Sequence, residues 1–136
     1  MPGSFFDTNV LVYLASADAT KADQAEAVVA AGGSISVQVL NELTNVTRRK
    51  MGLSWEEVSA FLATLRGLLT VHPVTVETHE AGLRLAARYG FSVYDAMIVG
   101  TAVEAGCDRL WSEDMQHGLV LAEGLRIVNP FRASGD

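Results

Sequence analysis

The chain has 136 residues, of which 49% are hydrophobic and 19% charged, a balance typical of one compact folded domain rather than of a disordered segment. The N-terminus has no basic region leading into an apolar stretch, and no run approaches the roughly 18 apolar residues of a membrane span. A single cysteine, Cys107, excludes an internal disulfide and fits a reducing compartment. We therefore expect a soluble, cytoplasmic protein that does not bind membranes, and we assign Cys107 no chemical role.

The net charge of −6 argues against a broad surface for nucleic acid, since such surfaces are usually basic. This objection weakens if several of the acidic residues are metal ligands, because two divalent cations would bring the net charge to about −2.

Taken in chain order, the apolar patterns alternate between short strands and helices. Strands are predicted at residues 4–6, 34–37, 70–74, 109–112 and 126–128. Helices are predicted at about residues 10–14, 20–31, 37–50, 54–69, 75–89 and 92–105. This alternation is typical of a mostly parallel sheet covered by helices on its faces. The predicted fold is α/β with three α/β/α layers, as one domain over residues 1–132 with a frayed tail at 133–136.

Capping residues predict where two of these helices begin. Thr20 is a suitable N-cap for the second helix, and Ser54 with Glu57 forms a capping box for the fourth. The fourth helix carries an apolar stripe of helical period that begins at Trp55 and includes Phe61 and several leucines. These side chains are expected in the core rather than on a binding surface.

Three carboxylates are each the only charged side chain in a long uncharged stretch. Asp7 follows the first strand, and Glu42 lies beside the apolar arc of the third helix. Asp95 lies in the first turn of a helix that is apolar on all sides, which predicts that its carboxylate is buried. An ionised carboxylate in such surroundings costs several kcal/mol unless a cation, hydrogen-bond donors or a raised pKa compensates it.

These three acids are predicted to point into one crevice, because strand ends and the starts of the following helices meet at one edge of an open α/β sheet. Asp114 follows the strand near Trp111 and can join them, while Glu113 is expected to point elsewhere. Acids that share a site repel one another unless hard cations lie between them. A ligand set of oxygens without Cys or His favours Mg²⁺ or Mn²⁺ over zinc.

Each acid also has a local structural explanation. Asp7 could form an Asx turn, and Asp95, three residues after Ser92, could be the acidic half of a capping box. Glu42 and Asp114 could be ordinary solvated surface acids. The joint arrangement is what these explanations account for poorly.

At these residues the sequence resembles the PIN domain family, and within it the VapC ribonuclease toxins of type II toxin–antitoxin pairs. The matching segments follow the family's order across nearly the whole chain. They are Phe6-Asp7-Thr8-Asn9-Val10-Leu11, Leu40-Asn41-Glu42-Leu43, Tyr94-Asp95-Ala96-Met97-Ile98 and Ser112-Glu113-Asp114-Met115-Gln116-His117-Gly118. The resemblance implies a PIN-like fold and hydrolysis of RNA phosphodiester bonds, by water that a divalent cation activates, to products with a 5′-phosphate.

Carried over residue by residue, the resemblance makes Asp7, Glu42, Asp95 and Asp114 the catalytic acids. It implies that Asp7 and Asp95 are direct ligands of Mg²⁺ or Mn²⁺, with Asn9 orienting Asp7. Supporting positions fall to Ser112 and to Glu113, and Glu113 stays open between a further ligand and an exposed acid. One or two ions are both compatible with these acids.

The only basic cluster, Arg48-Arg49-Lys50, ends the helix that carries Glu42 and could contact RNA phosphates. Cations at a helix C-terminus also favour the helix dipole, which is an equally good explanation. The three histidines have no ligand spacing, and His117 is expected closest to the site.

The expected partners are an RNA substrate, a cognate antitoxin and a second copy of the chain, the last two implied by the resemblance alone. Two alternatives stay open: a PIN nuclease for RNA processing without an antitoxin, and an α/β interaction module without activity. A phosphatase of the haloacid-dehalogenase type is disfavoured, because it requires a second Asp at position 9, where the chain has Asn9. A receiver domain is disfavoured because no lysine follows Lys50.

Overall fold

The computed structural model describes residues 3–132. Five strands within this range are β1 (Ser4–Phe6), β2 (Ser34–Ser36), β3 (Thr70–His72), β4 (Arg109–Trp111) and β5 (Arg126–Val128). The helices are α1 (Thr8–Val12), α2 (Ala19–Val29), α3 (Val37–Arg49), α4 (Trp55–Leu68), α5 (Val76–Tyr89) and α6 (Val93–Glu104). A 3₁₀ turn at Tyr13–Ala15 follows α1. The tail predicted at 133–136 and the first two residues of the predicted domain lie outside the described residues.

The five strands form one parallel sheet in the order β3-β2-β1-β4-β5. The chain builds outward from β1 to β3 on one side and then crosses to β4 on the other, so the order reverses between β1 and β4. Crevices at such reversal points, beyond the carboxyl ends of the strands, are where open α/β sheets bind ligands. The predicted three-layer α/β class is confirmed, and every pair of these strands is parallel.

The core lies on both faces of this sheet. Phe5 and Phe6 on β1, Ile35 on β2 and Leu110 on β4 are fully buried, which is why these short apolar segments form the central strands. Helix α6 packs closely on α5, where a Cβ on Gly82 would come within 2.5 Å of the Met97 side chain. The same Cβ would lie 3.0 Å from the backbone carbonyl oxygen of Ala96, so glycine at position 82 permits the close packing of the helix that carries Asp95.

The fourth helix is less buried than its sequence predicted. Val58 and Leu65 are buried, but Trp55 is 62% exposed and Leu68 is 61% exposed. The core assignment was therefore wrong for both, since Trp55 is the first residue of α4 and Leu68 the last, and the buried side chains lie between them. The capping box of Ser54 and Glu57 is present as predicted.

The second helix begins earlier than predicted. Asp18, not Thr20, is its N-cap, and the Asp18 side chain accepts a hydrogen bond from the backbone N–H of Lys21. A carboxylate at this position satisfies a free N–H and favours the positive end of the helix dipole, so it prevails over a threonine two residues on.

No helix among residues 3–132 combines the length and the apolar character needed to cross a bilayer.

Candidate active site

A cleft of about 370 Å³ opens beyond the carboxyl end of β1, beside the loop that follows β4. Its walls come from α1, α3, α6 and that loop. The predicted acids Asp7, Glu42, Asp95 and Asp114 all line it. Four segments that are distant in sequence therefore bring their carboxylates to one cavity.

Asp7 is the buried acid at the base of the cleft, with 3% of its surface exposed. It is the N-cap of α1, and its Oδ1 accepts a hydrogen bond of 2.7 Å from the backbone N–H of Thr8. Its Oδ2 accepts from Ser112 Oγ at 2.8 Å and from Asn9 Nδ2 at 3.1 Å. Both oxygens are thus held in place. Asp7 therefore caps α1, as the local explanation proposed, and also lines the cleft.

Burial raises the pKa of Asp7 from 3.8 to about 7. Hydrogen bonds from Ser112 and Thr8 lower it, while the charges of Asp95 and Glu42 raise it. Burial and repulsion therefore outweigh the hydrogen bonds, so a nearby cation would stabilise the ionised form of Asp7.

Asn9 and Ser112 tie the segment after β1 to the loop after β4. Asn9 donates to Asp7 and accepts, through Oδ1, a hydrogen bond of 3.0 Å from the backbone N–H of Glu113. Ser112 is fully buried, donates to Asp7 and accepts from the backbone N–H of Met115. Both predicted supporting residues thus contact Asp7 and also hold the opposite loop.

Replacing Ser112 by Ala is expected to raise the pKa of Asp7 further, because the hydroxyl is the hydrogen-bond donor that lowers it most. The pH profile of metal-supported activity should then shift to higher pH by about one to two units, given a hydrogen bond to a charged group worth roughly 1.5–3 kcal/mol. The profile of Ser112→Ala beside that of the parent protein measures this. An unchanged midpoint with reduced activity would contradict a role through Asp7.

Glu42 lies in the second turn of α3 and is half-buried. Its Oε1 accepts from Thr8 Oγ1 at 2.8 Å, and its Oε2 accepts from Gln38 Nε2 at 2.7 Å. Thr8 therefore links two of the acids, since its backbone N–H binds Asp7 and its hydroxyl binds Glu42. Neither Thr8 nor Gln38 was singled out in the sequence, although Gln38 precedes Glu42 by one helical turn, a spacing that brings side chains into contact.

Asp95 lies in the first turn of α6 and is half-exposed, so the prediction of a buried side chain was wrong. Helix α6 is buried from Ala96 to Ala102, but its first turn is not, since Val93 is 50% exposed and Tyr94 is 68% exposed. Partial burial raises the pKa of Asp95, and so do the charges of Glu42 and Asp114. The predicted N-cap is present, with Ser92 Oγ accepting from the backbone N–H of Asp95.

The loop after β4 supplies an exposed Asp114 and a half-buried Glu113, and both line the cleft. The sequence predicted that Glu113 points away from the other acids, and this was wrong because Glu113 lines the same cleft. Its Oε1 accepts from Tyr13 OH at 2.7 Å, and its Oε2 pairs with Lys21 Nζ at 2.5 Å. Both carboxylate oxygens of Glu113 are therefore engaged by protein groups, whereas the sequence left it open between a ligand and a solvated acid.

Tyr13 and Lys21 are site residues that the sequence analysis missed. They lie 100 and 92 residues before Glu113, so no local pattern connects them. Lys21 Nζ also donates to Tyr13 OH at 3.1 Å, and these contacts raise the pKa of Lys21 above its ordinary range. The cluster neutralises one acid at the edge of the cleft.

The predicted basic cluster is divided between two places. Lys50 lines the acidic cleft, while Arg48 and Arg49 line a separate groove beside it. His117 lies near the same loop, where its Nδ1 accepts from the backbone N–H of Asn129.

The donor groups of the cleft fit a hard divalent cation, because apart from Lys50 its polar side chains present carboxylate, amide or hydroxyl oxygens. Within residues 3–132, no three Asp, Glu, His or Cys side chains are already drawn together as a closed ligand set. Two of the acids nevertheless have pKa values raised by the charges of the others, which places the four carboxylates within one electrostatic field.

Comparison with protein families gives a match of residues 4–119 to the PIN domain. The match covers most of the chain and includes all four acids of the cleft. The chain belongs to the PIN domain family. Comparison with curated protein sequences found no match.

Solved structures similar to this chain include a toxin–antitoxin complex and a toxin. A toxin–antitoxin complex from Klebsiella pneumoniae aligns with a TM-score of 0.74 at 18% identity, covering 96% of this chain and 99% of that one. VapC20 of Mycobacterium tuberculosis, a toxin that cleaves the sarcin–ricin loop, aligns with a TM-score of 0.66 at 22% identity, covering 82% and 89%. DNA-bound VapBC from Salmonella typhimurium aligns at 0.68 and 21%, covering 96% and 99%. At these identities the likeness establishes the PIN-like fold.

Proposed function

We propose that this PIN domain is a Mg²⁺- or Mn²⁺-dependent ribonuclease whose catalytic acids are Asp7, Glu42, Asp95 and Asp114. The observation that supports this most is the convergence of these acids on one cleft, together with the raised pKa of the buried Asp7. Perturbed carboxyl groups gathered in a cavity are typical of catalytic and metal sites. A merely structural role would not require four segments to place like charges together.

In this proposal Asp7 and Asp95 hold the ion, with Glu42 and Asp114 completing the acidic wall. A bound divalent cation lowers the pKa of water and stabilises negative charge on the phosphate and leaving oxygens. Asp7 is fixed by Thr8, Asn9 and Ser112, so its oxygens require no reorganisation when the ion arrives. Lys50 on the same cleft offers a positive charge to the RNA phosphate.

The direct test is cleavage of a labelled single-stranded RNA by the purified chain. Mg²⁺ or Mn²⁺ should support cleavage to 5′-phosphate ends, and EDTA should stop it until excess metal is restored. A parallel preparation of Asp95→Asn controls for contaminating nuclease, because it passes through the same purification. Cleavage that persists in EDTA, or that is equal in the variant, would contradict the proposal.

We further propose that the protein is the toxin of a type II toxin–antitoxin pair, on the basis of its fold likeness to such toxins. An apolar groove of about 530 Å³ between α2 and α4, lined by Val29, Phe61 and Leu65, is suited to a helical antitoxin segment. Homodimerisation is proposed on the same basis. Growth arrest on expression, relieved by the product of the adjacent small reading frame, would support the pairing, and harmless expression would oppose it.

A further inference from the structure

A shallow tract leads away from the acidic cleft along the exposed side of α3. Next to the cleft lies a depression of about 350 Å³ that shares Glu42 and Asp95 with it and is also lined by Asn41 and Asn45. Beyond this, a groove of about 380 Å³ again includes both asparagines and ends at Arg48, Arg49 and Trp55. Because neighbouring depressions share residues, the tract is continuous from the acids to Trp55.

The far end of this tract is a preformed aromatic platform. Arg48 Cζ lies 4.3 Å from the centroid of the Trp55 ring, and Arg48 Nη1 donates to the carbonyl oxygen of Leu53 at 2.9 Å. The guanidinium is therefore held against one part of the indole while 62% of the Trp55 surface remains exposed. Indole rings and guanidinium planes are among the groups on which nucleic-acid bases stack.

A purely structural role explains only part of this arrangement. Arg48 clamps the turn between α3 and α4 through Leu53 and Trp55, which accounts for its own position. It does not account for a large aromatic surface left in water next to two arginines, since tryptophan is highly buried on average. An exposed aromatic residue between cations indicates an anionic ligand with flat apolar faces.

We propose that this tract, called here the α3 tract, binds the single strand of RNA that flanks the cleaved bond. In this arrangement a base stacks on Trp55, Arg49 contacts a phosphate, and Asn41 and Asn45 offer donors and acceptors to base or ribose edges. The inference rests on the proposed ribonuclease function and extends it by locating where the substrate lies. Charge complementarity supports RNA here, because Arg48 and Arg49 both line the tract on a chain whose net charge is −6.

Helix geometry gives the spacing between cleavage and stacking. Glu42 and Arg48 are six positions apart on α3, which is about 9 Å along the helix axis. This corresponds to roughly three steps of a stacked strand, with phosphates about 3.4 Å apart along its axis. The base on Trp55 is therefore expected about two to three nucleotides from the cleaved phosphate.

Binding of a short single-stranded RNA in EDTA tests the α3 tract without requiring cleavage. Trp55→Ala should weaken binding about 5- to 100-fold, and Trp55→Phe should restore most of the loss. Val76→Ala, which changes an exposed apolar residue at the start of α5, is the matched control and should leave the affinity unchanged. Arg49→Ala should lower the slope of log affinity against log salt by about 0.7, whereas Arg84→Ala on α5 should not.

The fluorescence of Trp55 gives a second readout, because RNA would not change it if Trp55 had only a structural role. In a Trp111→Phe background Trp55 is the only tryptophan, and a stacked base should quench its fluorescence as RNA is added. If RNA quenches Trp55 and Trp55→Ala binds RNA more weakly, but the parent protein does not cleave RNA, the tract is upheld and the ribonuclease proposal is refuted. If Trp55→Ala cleaves and binds RNA as the parent protein does, the α3 tract is refuted and the ribonuclease proposal stands. Blockage of Trp55 by a second copy of the chain, seen as quenching that depends on protein concentration, would also overturn it.

Discussion

Replacing Asp7 by Asn is expected to lower metal-dependent RNA cleavage by on the order of 10³-fold while making the metal-free protein more tolerant of alkaline pH. The loss of activity follows because Asp7 is the buried acid that the other acids and three hydrogen-bond donors surround. Asn is nearly isosteric with Asp and keeps the cap of α1 through its Oδ1, but its amide nitrogen cannot accept the hydrogen bond that Asn9 donates to Asp7. Asp108→Asn, at the opposite end of β4, is the matched control and should cleave normally.

The stability effect has a defined sign. The pKa of Asp7 is about 7 in the folded protein and near 3.8 when unfolded, so folding favours the protonated form. The associated stability is complete below about pH 4 and is lost as pH rises towards 7. The asparagine of the variant does not titrate, so the free energy of unfolding of the variant relative to the parent should increase by about 2–3 kcal/mol between pH 5 and pH 8.

Urea denaturation of both proteins in EDTA at the two pH values measures this difference. The change with pH is the diagnostic quantity, because a local rearrangement caused by Asn would shift stability equally at both. A difference that is independent of pH would show that Asp7 is not the titrating group.

Divalent metal is expected to raise the melting temperature of the parent protein, and more at pH 8 than at pH 5.5. At about ten times its dissociation constant a ligand stabilises the folded state by about 1.4 kcal/mol, which for a chain of this size corresponds to roughly 3–6 °C. Below pH 7 the ion must displace a proton from Asp7, so its apparent affinity decreases as pH falls.

Thermal unfolding with Mn²⁺ or Mg²⁺ and with EDTA provides the measurement, and Asp7→Asn should show almost no shift. Proton release on metal binding, followed in weak buffer near pH 6.5, is an independent readout. An equal shift at both pH values, or the same shift in the variant, would mean that the ion binds away from Asp7.

The sequence predicted the parallel α/β sheet and the approach of the acids because both follow from chain order. Strands alternating with helices force parallel pairing, and residues immediately after β1 and β4 must then lie at the same sheet edge. This reasoning was sufficient to predict that Asp7 and Asp114 lie at the same edge of the sheet. The same reasoning placed Glu42 and Asp95 in the early turns of α3 and α6.

What the sequence did not predict depends on side-chain packing between distant segments. The exposure of Asp95 depends on how far the first turn of α6 extends past its neighbours, and hydrophobic periodicity carries no information about that distance. Lys21 contacts Glu113 across 92 residues, so its role is visible only after folding. Trp55 fits an apolar stripe, but its position at the start of α4 leaves it in solvent.

The side-chain amide of Asn9 has a consequence for the kind of chemistry this edge of the sheet can perform. Its nitrogen faces one oxygen of Asp7 and its oxygen faces the backbone N–H of Glu113. An aspartate there would set oxygen against oxygen on the Asp7 side, so the paired aspartates of a phosphate-accepting enzyme are incompatible with this hydrogen-bond pattern. A neutral amide between the two loops therefore fits the role proposed for Asp7, which is to hold a divalent cation.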